Sequence, residues 1–318
     1  MPNLFTNIPS HIQSELRDLR HNLNDVLPQK AANNVLIATW NIRAFGNLTN
    51  KWEAGKNDSP QRDKQSLLCI VEIIKSFDII AVQEVKDNIK CLRETMRLLG
   101  PDWSFLMTDV TKGGPGNGER LAFIFDARKI KLSGLACELV IPKEQLDNHI
   151  APDALERQFA RTPYAVSFRA GNKTFVLLTL HILYGDDYED RVPELKAIAG
   201  WMYDWAKKLK DWNHSLITLG DFNIDDKDDV NYNAFVSRGL HIPGDYDNIS
   251  RTIFTKVKYY DQIAWFKDSD LRPQITLDFR QGGVYNFKDH VLKNRNYTNS
   301  QISFRISDHM PLWAEFGL

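Results

Sequence analysis

A chain of 318 residues with 43% apolar and 11% aromatic content can bury one large core, and no shift in composition marks a second. Lysine plus arginine number 40 against 41 acidic residues, a formal charge of −1, which excludes a global field for polyanions and leaves only local binding. Three cysteines (Cys69, Cys91, Cys137) without metal-ligand spacing, no leader pattern and no apolar run of the ~18 residues a span needs predict a soluble, unexported, cytoplasmic chain without disulfides or a membrane partner.

Ser10 opens an amphipathic run in which Ile12, Leu16, Leu19, Leu23 and Val26 recur at steps of four and three, with Ser10 and Gln13 as a capping box and Pro28 as the stop. A helix with one apolar face is expected, packed on the domain rather than paired as a coiled coil, since two or three heptads rarely hold an isolated pair. Residues 1–34 form this helical extension and 35–318 the main domain. Val35 to Trp40 is a strand ending in Asn41-Ile42-Arg43, followed by a polar loop to about Pro60. Arg62 to Phe77 keeps helical spacing at Leu67, Leu68, Val71 and Ile74, and Asp78 to Gln83 is a second buried strand that ends in Glu84. Val85 to Leu99 reads as a helix and Trp103 to Met107 as a strand, while Glu119-Arg120 open another from Leu121 to Phe125. The glycines of Lys112 to Gly118 feed a strand and not a helix N-terminus, so they read as a turn rather than a phosphate cradle.

Leu135 to Val140 is a strand and Pro142 to Gln158 is irregular. Tyr164 to Arg169 and Lys173 to Leu180 pair around Gly171-Asn172, and the second ends in His181. A helix from Pro193 to Trp212 leads into Ser215 to Leu219, an apolar β-branched strand after which Gly220 lets the backbone turn and Asp221 and Asn223 project. The acidic run Asp225 to Asp229 lacks calcium-loop spacing and reads as solvated surface. Tyr259 to Phe266 is a strand carrying Asp261, and Ser307-Asp308-His309 precedes the apolar run Pro311 to Phe316.

Asn41, Glu84, Glu119, His181, Asp221, Asn223, Asp261, Asp308 and His309 thus lie mostly at or beside the ends of apolar strands. Singly, each type is more often a satisfied core or turn residue. Together they form a coherent set: carboxylate and amide oxygens suit a hard cation, Mg²⁺ or Mn²⁺, and two histidines suit proton transfer near neutral pH. Metal-assisted hydrolysis of a phosphate ester is the reaction such a set serves.

The segments Asn41-Ile42-Arg43, Val82-Gln83-Glu84-Val85, His181, Gly220-Asp221-Phe222-Asn223, Tyr260-Asp261-Gln262-Ile263 and Ser307-Asp308-His309-Met310-Pro311 follow the order of the endonuclease/exonuclease/phosphatase family. The resemblance covers roughly Val35 to Leu318 and is nearest to the deoxyribonuclease I branch, through Val35 to Gly46, Gln83 to Asp87 with Lys86 for an arginine, and Phe159 to Val166. It implies an α/β (α+β) fold, a four-layer αββα sandwich of two packed mixed β-sheets with helices outside and a site at one rim. In the roles it implies, Glu84 is the principal metal ligand, with Asn41 and Asp308 completing the site. His181 steadied by Glu119, and His309 steadied by Asp261, flank the scissile phosphate, Asp221 helps activate water, and Asn223 holds water or phosphate. Whether Asp221 or a histidine is the base stays open.

Arg43, Lys86 and Arg161 match positions that touch nucleic-acid backbone in deoxyribonuclease I, which implies DNA as the partner. Lys288, Lys293, Arg295 and Arg305 read equally as a solvated loop or a phosphate-binding lip. Asn117 stands near a groove-reading tyrosine of that branch, a departure that bears on groove binding. The expected function is a divalent-metal-dependent phosphodiester hydrolase, a DNA-cleaving endonuclease. The alternatives are an enzyme of the same fold acting on RNA or a small or lipid phosphoester, and a non-catalytic nucleic-acid-binding scaffold.

Overall fold

Strand β1, Asn34–Phe45, sets the layering, because successive side chains of a strand point to opposite faces. Val35 and Ile37 enter one core, and Leu36, Ala38 and Trp40 enter another, so the strand is apolar on both sides. The computed structural model describes residues 5–112, 116–139, 159–210, 215–267 and 274–318. The irregular stretch expected over Pro142 to Gln158 therefore lies outside the described residues, as do Val140 and Trp212 at the ends of two expected elements.

One sheet runs in the order β11 (Asp278–Val284), β12 (Leu312–Gly317), β1, β2 (Ile79–Lys86), β4 (Glu119–Asp126), β3 (Trp103–Met107). The other runs β5 (Ile130–Glu138), β6 (Tyr164–Ala170), β7 (Lys173–His181), β8 (Ser215–Asp221), β10 (Asp261–Phe266), β9 (Leu240–His241). Both are mixed, since β1 with β2 and β7 with β8 are parallel and the other pairs antiparallel. The inner core closes the sheets on each other through Val35, Phe123 and Phe316 from one and Phe168, Ile217 and Trp265 from the other. Helices α1 (Ser10–Val26), α2 (Lys64–Lys75) and α3 (Lys90–Leu99) cover the outer face of the first sheet. Helices α4 (Val192–Lys210) and α5 (Val230–Val236) cover that of the second. The expected four-layer αββα sandwich is the architecture found.

Helix α1 is built into the first outer core, with Ile12, Leu16, Leu19 and Leu23 buried and Arg20 paired to Glu72 of α2 at 2.7 Å. Two details of its expected form are corrected. Pro9 occupies the cap position with φ −55°, so Ser10 already lies inside the helix, no capping box forms, and Gln13 Nε2 donates instead to the Ile8 carbonyl. Val26 is exposed, because the helix ends there and the extended Leu27 turns its side chain back to the core.

Elsewhere the boundaries move for reasons of pairing. Helix α2 begins at Lys64 behind the Asp63 cap, whose carboxylate accepts from Ser66 N, and leaves Arg62 outside. Strand β2 continues through Lys86 against Glu119, so α3 starts at Lys90 rather than Val85. Strand β5 starts at Ile130, earlier than expected, because a register shift between Leu132 and Ala136 and exposed Lys131 and Ser133 disguise its alternation. Edge strand β11 had no signal: it is polar and carries Gly282, where a Cβ would stand 2.6 Å from the Tyr246 ring.

Candidate active site

Strand ends collect at one rim because parallel neighbours finish together and antiparallel ones begin there. Along the second sheet, His181 of β7 is in register with Asp221 of β8, and Asp221 with Asp261 of β10. The close approach of β7 to β8 depends on Gly220, with φ +151°, where a Cβ would lie 2.1 Å from the Leu180 carbonyl oxygen. On the first sheet, Asn41 pairs beside Gln83, and the register then slips so that Phe45 meets Val85. The slip leaves Ala44 at φ +45° and Glu84 at φ +59°, left-handed conformations that cost non-glycine residues about 1–3 kcal/mol each. There the Glu84 carboxylate accepts from Ala44 N at 2.7 Å.

Asp221 is the hub of the site. Its Oδ2 accepts from Asn41 Nδ2 at 2.8 Å, and its Oδ1 accepts from Asn223 N at 3.0 Å. His181 Nε2 and His309 Nε2 face the same Oδ2 from 3.6 and 3.7 Å. The other nitrogen of His309 lies 2.7 Å from Asp261 Oδ2. Burial works to raise the Asp221 carboxyl, but His309, His181 and the Asn41 amide outweigh it and hold it below its ordinary value. Burial likewise works against charge on His309, yet Asp261 and Asp221 together lift it well above the usual imidazole range. An ionised carboxylate therefore stands between imidazoles, one of them held protonated.

Glu119, 1% exposed, gathers several of the predicted residues. Arg161 Nε donates to its Oε2 at 2.5 Å, Lys86 Nζ to its Oε1 at 2.7 Å, and Asn117 Nδ2 also to Oε1. His181 Nδ1 is 3.1 Å from Oε2, without the alignment of a hydrogen bond. Burial pushes the Glu119 carboxyl up, but His181, Arg161 and Lys86 bring it far below the ordinary carboxylate value. Two of the expected substrate contacts, Lys86 and Arg161, are thus engaged with Glu119, while Arg43 stacks 4.0 Å over the exposed Phe304 ring and reaches Asp308 at 3.4 Å. Asn223, at φ +50°, donates its side-chain amide to the Ile182 carbonyl and so braces the turn after His181. The basic cluster near the last motif splits: Arg295 is bound to Asp63 and Arg305 to Gln61, as internal struts.

Three further residues support this rim: Ser307, which opens the last motif, and Glu194 and Arg191, which belong to no motif read from the sequence. Ser307 Oγ donates to the Asn41 carbonyl at 2.6 Å and accepts from Arg43 N and His309 N, joining the first and last motifs. Glu194, in the first turn of α4, accepts from Ala160 N and Leu183 N and ties the Arg161 segment to the chain after His181. Arg191 donates to the Asn223 carbonyl and to Asp225. Their bonds cross long sequence intervals, which no local pattern reveals.

A divalent cation fits the residues present. Asn41 is 1% exposed, and its Oδ1 is buried with no hydrogen-bond partner among the described residues, an arrangement that costs free energy unless another group completes it. Glu84, on the neighbouring strand β2, and Asp308, two residues before Met310, offer carboxylate oxygens of the kind a hard cation takes. Among the described residues, no group of three or more His, Cys, Asp or Glu side chains is placed to hold a metal ion.

Residues 38–309 match the model of the endonuclease/exonuclease/phosphatase family, and the chain belongs to that family. It is 31% identical over 205 residues to a deoxyribonuclease of Thioalkalivibrio sp. (strain K90mix), covering 63% of this chain and 49% of the relative. Human deoxyribonuclease gamma is 27% identical over 199 residues, 59% of this chain and 55% of the relative. The chain thus spans about half the length of these curated relatives. Among solved structures, the mannosyl-6-phosphatase of Bacteroides thetaiotaomicron superposes with a TM-score of 0.59 at 17% identity, over 89% of this chain and 99% of that one, a likeness of fold.

Proposed function

We propose that this protein is a divalent-metal-dependent phosphodiester hydrolase that cleaves DNA as an endonuclease. The observation that carries the chemistry is Asp221, ionised and fixed by Asn41 and Asn223, with His181 and His309 both facing its Oδ2. Asn41 Oδ1, Glu84 and Asp308 would hold the cation. When bound, Mg²⁺ or Mn²⁺ lowers the pKa of a water and neutralises charge on phosphoryl oxygens. Asp221 orients the attacking water and takes its proton, while His309, kept protonated by Asp261, donates to a phosphoryl oxygen or the leaving group. His181 presents its Nε2 from the opposite side, braced near Glu119. DNA as substrate is supported by the deoxyribonucleases among the relatives and by Arg43 beside the metal-site residue Asp308.

A second reading, hydrolysis of a small phosphate ester, draws on the fold-level likeness to a sugar phosphatase. The test incubates purified protein with supercoiled plasmid, single-stranded DNA, RNA and bis(p-nitrophenyl) phosphate, with and without Mg²⁺ or Mn²⁺. Metal-dependent nicking of plasmid is expected. Turnover of the small ester with every nucleic acid left intact would refute the nuclease assignment.

A further inference from the structure

Arg62 is 2% exposed, and among the described residues its guanidinium bonds no carboxylate. Its donors go instead to four backbone carbonyls. Nη2 reaches Arg43 O at 2.6 Å and Ile306 O at 2.9 Å, Nη1 reaches Ala44 O at 2.8 Å, and Nε reaches Arg305 O at 2.9 Å. The first pair of carbonyls, on Arg43 and Ala44, belongs to the end of β1. The second pair, on Arg305 and Ile306, precedes Ser307-Asp308-His309.

These two stretches carry the candidate metal ligands. Asn41 lies two residues before Arg43, and Ala44 is the residue whose N–H holds the Glu84 carboxylate while its own backbone sits at φ +45°. Asp308 lies two residues after Ile306 and is reached by Arg43 at 3.4 Å. A rigid planar fork that binds both stretches at once fixes the separation between the Asn41 and Glu84 side of the site and the Asp308 and His309 side. Lysine cannot reproduce it, having one nitrogen and no fixed plane. Burying a guanidinium is costly, and here the four carbonyls, the Phe45 ring at 5.6 Å and the charge of Glu84 offset that cost together, an arrangement hard to account for as packing alone.

We propose that Arg62 is a positioning residue for the metal centre, acting through the Ala44 backbone on Glu84 and through the Ile306 backbone on Asp308. This rests on the reading that Asn41, Glu84 and Asp308 hold the cation. It goes beyond that reading by assigning the geometry of the centre to a residue that touches neither metal nor substrate. The Arg62 bond to the Arg43 carbonyl holds the Arg43–Ala44 peptide, whose N–H meets Glu84, and the bond to the Ala44 carbonyl fixes the peptide on the other side of the strained Ala44.

The experiment measures Mn²⁺ dissociation by electron paramagnetic resonance, together with kcat and KM for plasmid nicking and the melting temperature. It compares wild type, Arg62→Lys, Glu84→Gln and a core variant of similar melting temperature, Leu16→Ala. Arg62→Lys should bind Mn²⁺ about 10–100-fold more weakly and lose kcat with KM little changed, as loss of a supporting contact to a metal ligand does. Leu16→Ala should keep wild-type Mn²⁺ affinity. Arg62→Gln, read in the same way, serves if the lysine variant does not fold. Wild-type Mn²⁺ affinity and kcat in folded Arg62 variants, beside lost binding in Glu84→Gln, would overturn the Arg62 assignment alone. Unchanged binding in Glu84→Gln would overturn the metal-site reading on which it rests.

Discussion

The chemistry of single side chains at the rim is decided by their neighbours. Asp221 keeps its charge because imidazoles and an amide surround it despite burial, and its two oxygens are already oriented by Asn41 and Asn223. Asp221→Asn should fold with a lower melting temperature, since His309 is left facing a neutral amide, and should lose kcat by about 10²–10⁴-fold, the usual contribution of a positioned base. A loss confined to KM would remove Asp221 from proton transfer. Glu119 plays the opposite part, tying down cations rather than reacting. Its carboxyl lies below the ordinary value of about 4.3, so its contribution to stability is fully present above that pH and is lost as pH falls through the still lower folded value. Glu119→Gln should cost about 3–5 kcal/mol in urea unfolding at pH 7, because Arg161 and Lys86 are left facing a neutral group. The gap from wild type should narrow at pH 3; an equal gap at both pH values would contradict this account.

At the scale of elements, strand ends are where the sequence could be read and strand registers are where it could not. The apolar bodies of β1, β2, β7, β8 and β10 showed plainly, and with them the polar residues near one end of each, although β1 runs past Asn41 to Phe45, β2 past Glu84 to Lys86, and β10 starts at Asp261 rather than Tyr259. The bulge that turns Glu84 into the site was invisible, because it shows only in the registers against β1 and β4, and Val82-Gln83-Glu84-Val85 carries no glycine to announce it. Glu194 and Arg191 were silent for a related reason, since a glutamate or arginine in a loop or first helical turn has many ordinary uses, and Ser307 showed only as a member of the last motif. Gly220 reads in the sequence as a turn, but β8 runs through it to Asp221, and its lack of a Cβ is what admits the Leu180 carbonyl. Gly220→Ala should destabilise by about 3 kcal/mol or more, since the clash is with backbone and β7 must move. It should also reduce activity by displacing His181 from Asp221, read by chemical denaturation and plasmid nicking on the same preparation. Wild-type stability would show that β7 and β8 are less tightly registered than the structure indicates.

Over the whole molecule, each sheet has a helical layer of its own, and α1 belongs to that of the first sheet rather than hanging from it. Leu19 of α1 is 1% exposed within the same apolar cluster as Leu67 and Ile74 of α2. Leu19→Ala should cost about 2–5 kcal/mol in unfolding free energy, where a loosely attached extension would show almost none. The sandwich makes the site a meeting of both sheets: Asn41 and Glu84 come from one, His181, Asp221 and Asp261 from the other, and Asp308 and His309 from the segment before β12. Neither sheet alone holds a complete set, so the reaction depends on the inner core that presses them together.

The central claim is that metal held by Asn41 and Glu84 drives phosphodiester cleavage at this rim. The most direct test follows nicking of supercoiled plasmid by wild type and Glu84→Gln across a Mg²⁺ titration, with a chelator control. The account predicts nicking by wild type only with Mg²⁺, and a loss of about 100-fold or more in Glu84→Gln at an unchanged melting temperature. Nicking that survives the chelator, or a Glu84→Gln protein as active as wild type, would contradict it.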